Sequence, residues 1–155
     1  MRKILIICFL GVFLILLESC GRLNFDSYFN KTVEIEAKEN NYSAYATGAI
    51  ISNDGLIITN KHVVAGKNNI LINYYDAPDI KYQAKILNVS KQYDLALIKI
   101  EESKDYFKKI DERCSLGQEI YSIGNAKGYG LSLGKGIITS NYKNIIYNKE
   151  EMLSV

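Results

Sequence analysis

One histidine occurs in the 155 residues, and it lies in the stretch NDGLIITNKHVVAG, residues 53–66. Imidazole is the side chain whose ordinary pKa lets it give and take a proton near neutral pH. His62 is therefore the first residue to test for acid–base chemistry. The glycine-rich run GNAKGYGLSLGKG, residues 124–136, is the second candidate. It lacks the phosphate-cradling pattern, because Gly134-Lys135 is followed by Gly136 and not by serine or threonine. Those glycines read instead as turns and close backbone approaches.

Placing His62 is the work of short β-type runs. TVEIEA (32–37) alternates apolar and polar residues. AYATGAIIS (44–52) and LIITN (56–60) flank Asn53-Asp54-Gly55, a strong hairpin signal because Asp-Gly tolerates positive φ. NILINYY (69–75) and KYQAKILNV (81–89), separated by a turn at Asp76-Ala77-Pro78-Asp79, and DLALIKI (94–100) complete six strands, the last with Leu95, Leu97 and flanking isoleucines able to face a core. Six short antiparallel strands at this spacing predict an all-β domain, a closed small barrel or a sandwich. EESKDYFKKIDER (101–113) is a helix-like or charged connector, and QEIYSIGN (118–125) and LGKGIITSNY (133–142) open a second β series.

Composition bounds the function. With 48% apolar and 23% charged residues the chain has the makings of one ordinary globular domain. A net charge of +2, with lysines scattered among acids, gives no nucleic-acid surface, and the tyrosines belong to the strands rather than to a base-stacking platform.

The first nineteen residues read as a signal peptide. Arg2 and Lys3 precede an apolar run from Ile4 to Leu17, shorter than the ~20 residues a spanning helix needs. Leu17-Glu18-Ser19-Cys20 resembles the bacterial lipoprotein box, with Glu18 departing from its small or apolar preference. That resemblance implies lipidation at Cys20, an exported and membrane-anchored protein, and a tether over residues 20–31. Cys114 is then the remaining cysteine, so no internal disulfide is expected, and one histidine with one free thiol does not make a zinc site of the usual type. No metal or cofactor is called for.

TGAIISNDGLIITNKHVV (47–64), YDLALIKI (93–100) and LGQEIYSIGNAKGYGLSLGKGIITS (116–140) occur in order and at sensible spacing. Together they resemble trypsin-like serine proteases of the bacterial HtrA (Deg) type. The first matches the T-N-x-H-V-V histidine segment, the second the D-L-A-L aspartate segment, and the third the I-G-N glycine-rich segment. The resemblance implies a trypsin-like antiparallel β-barrel, the first of two barrels complete and the second truncated, over residues 32–155. It implies that His62 is the general base and Asp94 its orienter. It also implies a protein or peptide substrate. The chemistry fits: a serine hydroxyl needs a base near neutral pH, and a carboxylate holds that base in the right tautomer.

The third catalytic element of the family, G-N/D-S-G-G, is missing from the 155 residues. Ser115, Ser132, Ser140 and Ser154 all lack flanking glycines. The sequence thus reads as a truncated serine endopeptidase homologue, inactive as it stands. Its competitor is a lipid-anchored lipoprotein using the same barrel as a non-catalytic binding module. Substrate preference and oligomeric state do not follow from these residues.

Overall fold

The computed structural model describes residues 24–39, 42–101, 105–109, 113–125, 128–140, 143–147 and 150–154. Residues 1–19, expected to be a signal peptide, and Cys20 lie outside them. Six strands close a barrel in the order β1-β2-β3-β6-β5-β4: β1 (Thr32–Glu39), β2 (Tyr42–Ile50), β3 (Leu56–Thr59), β4 (Asn69–Tyr74), β5 (Ala77–Val89) and β6 (Ala96–Lys99). Every neighbouring pair is antiparallel, and β1 pairing with both β2 and β4 removes the open edges. The expected all-β antiparallel barrel is therefore present.

Alternation sets what faces inward. On β1, Val33, Ile35 and Ala37 are sealed from solvent, joined by Ile50, Ile57, Ile72 and Ile98 from the other strands. Burying such a side chain stabilises by roughly 1.5–3 kcal/mol each, so this aliphatic core dominates the favourable side of folding. Gly48 on β2 leaves room for it: a Cβ there would lie 2.5 Å from Ile57 Cγ2 and 3.0 Å from Ile35 Cδ1. On the outer face, buried Glu36 is satisfied by Lys81 at 2.6 Å, Lys38 at 3.1 Å and the Ser43 hydroxyl at 3.3 Å.

The Asn53-Asp54-Gly55 turn joins β2 to β3 as expected, with Gly55 at φ 84°. Ser52 Oγ accepts the Leu56 N–H at 3.0 Å and fixes the turn.

Several elements differ from the sequence reading. The β4–β5 turn is tighter than Asp76–Asp79, because β5 begins at Ala77 and runs through Pro78; Asn73 caps the Pro78 carbonyl at 2.5 Å. On β6 the inward residues are Ala96, Ile98 and, just beyond, Ile100, whereas Leu95 is 43% exposed. The described part of the connector, residues 105–109, is not helical. It runs along the barrel rim instead, with the Phe107 N–H donating to the Ile50 carbonyl at 2.9 Å and Asp105 paired with Lys31 at 3.3 Å.

Within the segment read as a tether lies a helix, α1 (Phe25–Phe29), too short for periodicity to reveal. Its aromatic rings dock it: Phe25 lies 4.9 Å from Tyr121 and Phe29 4.6 Å from Tyr75, centroid to centroid. After the connector, β7 (Glu119–Gly124) and β8 (Ser132–Ile137) form one hairpin, and β9 (Lys143–Tyr147) and β10 (Glu150–Ser154) form another. The β7–β8 hairpin is tied to the barrel by Asn125, whose buried backbone N–H donates to Thr47 Oγ1 at 2.8 Å.

Candidate active site

The last rung between β3 and β6 pairs Thr59 with Ala96. In an antiparallel ladder the chain leaving one strand then meets the chain entering the other, so residues just past Thr59 face those just before Ala96. That geometry brings His62 to Asp94 across thirty-two positions of sequence. Directly after β3 comes the single turn α2 (Lys61–Val64), anchored by buried Val63 and Val64. With the valines inside, the His62 ring is turned outward and its side chain is 71% exposed. Asp94 enters from a turn built on Ser90, whose hydroxyl accepts the N–H groups of Gln92 at 3.2 Å and Tyr93 at 3.0 Å. The Ser90 N–H closes the turn on the Leu95 carbonyl at 2.9 Å.

Asp94 makes a two-point contact with the histidine. Its Oδ2 lies 2.6 Å from His62 Nδ1, and its Oδ1 accepts the His62 backbone N–H at 2.9 Å. Partial burial pushes the Asp94 carboxyl up, but the His62 N–H, the imidazole and the Asn60 amide together outweigh it and hold the group below the usual carboxylate range. An ionised carboxylate can only accept, so the ring proton belongs on Nδ1. Nε2 is then the nitrogen able to take up a proton. The two residues singled out in the sequence are thus brought together, in the relation a base and its orienter require.

One participant escaped the sequence reading. Asn60 donates its side-chain amide to both the Asp94 carbonyl and Oδ2, each at 3.2 Å. The signal was present as the asparagine of T-N-K-H, but a turn asparagine at a helix start ordinarily reads as a cap.

Beside the dyad is a mostly apolar cavity of about 620 Å³ between α1, the connector, β7 and the outer faces of β2 and β3. Asn60 and Leu95 line it, while His62 and Asp94 do not. The glycine-rich segment packs against β2: a Cβ at Gly128, φ 77°, would come 2.8 Å from the Tyr45 ring.

Residues 46–154 match the model of the trypsin-like peptidase domain. Among curated proteins the chain is similar to the magnetosome formation protease MamE of Magnetospirillum gryphiswaldense, 31% identical over 104 residues, covering 64% of this chain and 14% of that protein. A probable periplasmic serine endoprotease, DegP-like, of Chlamydia trachomatis is 29% identical over 130 residues, covering 79% of this chain and 26% of that protein. The chain thus spans only 14% and 26% of the length of these two relatives. Among solved structures, the HtrA-type protease AlgW with tripeptide superposes with a TM-score of 0.69 at 21% identity, covering 83% of this chain and 48% of that one. The serine endoprotease from Yersinia pestis superposes with a TM-score of 0.67 at 21% identity, covering 85% and 53% respectively. These likenesses agree with the closed barrel. The chain belongs to the trypsin-like peptidase domain family, with HtrA/DegP-like serine proteases as its homologues.

Proposed function

We propose that these residues form the base-and-orienter half of a serine endopeptidase site, with His62 as general base and acid and Asp94 as orienter. The observation that carries this reading is the 2.6 Å contact between His62 Nδ1 and Asp94 Oδ2, made with the ring exposed. In peptide-bond hydrolysis Nε2 would take the proton of an attacking serine hydroxyl and return it to the leaving amine, while Asp94 stabilises the imidazolium between those steps.

The nucleophile and its oxyanion-stabilising N–H groups are not supplied by the 155 residues, in which no serine has a glycine on either side. The peptidase domain is assigned to residues 32–155, preceded by a lipoprotein signal (1–19) and a tether (20–31) that would anchor it through lipid on Cys20. Substrates are protein or peptide, as befits a homologue of endoproteases described as periplasmic.

A fluorophosphonate probe tests the assignment. The 155-residue chain alone should take no label. Supplying a polypeptide that carries the G-N-S-G-G element should give a labelled serine on that polypeptide, lost in His62→Ala. Label on one of the chain's own serines would overturn the division of labour. In cells, fatty-acid incorporation lost in Cys20→Ala checks the anchor.

A further inference from the structure

The start of α2 is capped in an unusual way. Asn60 occupies the N-cap position with extended backbone, φ −77° and ψ 141°, yet makes no side-chain cap bond. An asparagine there ordinarily accepts a backbone N–H from the first turn with its own Oδ1. Here the His62 N–H is taken by Asp94 Oδ1 at 2.9 Å, from thirty-two residues away. The cap is supplied by the aspartate, and the Asn60 amide is released for another task.

That task is to hold Asp94. Asn60 Nδ2 points at the Asp94 carbonyl and at Oδ2, each 3.2 Å away. Both are acceptors, so the amide must present its NH2 and not its oxygen; the opposite orientation would set oxygen against oxygen. One NH2 group thus bridges the main chain and the carboxylate of the same residue. This restrains the rotation that would carry Oδ2 away from His62 Nδ1.

We propose that Asn60 is a positioning residue for the dyad, acting on His62 through Asp94; this rests on the reading of His62 and Asp94 as base and orienter. Asn60 touches no reacting atom. Its effect is to keep the carboxylate in the orientation that pins the ring proton on Nδ1. A carboxylate at position 60 would be as good a helix cap as asparagine, but it would repel Asp94 and donate nothing. The two roles therefore make opposite predictions for one substitution.

The single histidine makes the test clean, because its two ring nitrogens give the only imidazole signals in a ¹⁵N spectrum of the chain. Spectra are recorded at increasing pH until neither ring nitrogen moves further, and the tautomer is read there. Asn60→Ala should move the ring from the Nδ1–H form towards a mixture with the Nε2–H form. Asn60→Asp should move it further, and Asp94→Asn should abolish the Nδ1 preference. Unchanged chemical-shift dispersion elsewhere confirms that each variant is folded. If Asp94→Asn abolishes the preference while Asn60→Ala and Asn60→Asp retain it, the positioning role is wrong and the dyad stands. If Asn60→Asp matches wild type and Asn60→Ala alone is altered, Asn60 acts only as a cap. If Asp94→Asn changes nothing, the dyad reading fails and takes the positioning role with it.

Discussion

At the scale of single residues, the site is one acceptor-only side chain, Asp94, met by donors from His62 and Asn60. Asp94 accepts from the His62 backbone, the His62 ring and the Asn60 amide, and these contacts outweigh the cost of burial. Its carboxyl is therefore lowered in the folded state, which fixes the sign of its pH dependence. The stability it contributes is fully present above the unfolded value of ~3.9 and is lost as pH falls through the lower folded value. Urea midpoints of wild type and Asp94→Asn should accordingly differ at neutral pH and converge in acid below pH ~3.9. A gap that stays constant through the acid range would show that the carboxylate's charge is not what matters.

At the scale of elements, the dyad is a consequence of strand pairing. The β3–β6 ladder ends at Thr59 and Ala96, and everything chemical happens within three residues of that rung. The hairpin at Asn53-Asp54-Gly55 and the alternation on β1 were legible in the sequence because each is a local rule. Others were not. α1 is one turn and a half, Leu95 turns out rather than in because Ala96 sets the phase, and β5 passes through Pro78 where the sequence suggested a turn. Gly48 belongs to this scale too, since its missing side chain is what lets β2 cross over Ile57 and Ile35. Gly48→Ala should destabilise the barrel by about 1–3 kcal/mol through overpacking. A lowered denaturant midpoint with unchanged slope is the expected readout, and an unchanged midpoint would mean the core has slack there.

At the scale of the molecule, the barrel is a platform to which other segments are fastened at a few points. Thr47 holds Asn125 from seventy-eight residues away, and Phe25 holds Tyr121 across nearly the whole domain. No local pattern announces such contacts, which depend on closure of the barrel bringing distant segments to one face. The pairing of His62 with Asp94 is also non-local, yet it was legible, because each residue sits in a distinctive segment whose order and spacing match a known family. Asn60 lay inside one of those segments and was missed, since its partner could be identified only after β3 and β6 were seen to pair.

A base must keep a free lone pair on the nitrogen that faces its substrate, and the ¹⁵N spectrum of the lone histidine measures this in the unmodified chain. With the ring neutral, wild type should show the Nδ1–H tautomer with Nε2 unprotonated. A ring found chiefly as the Nε2–H tautomer would leave His62 unable to take a proton from serine, and its assignment as the base would fail.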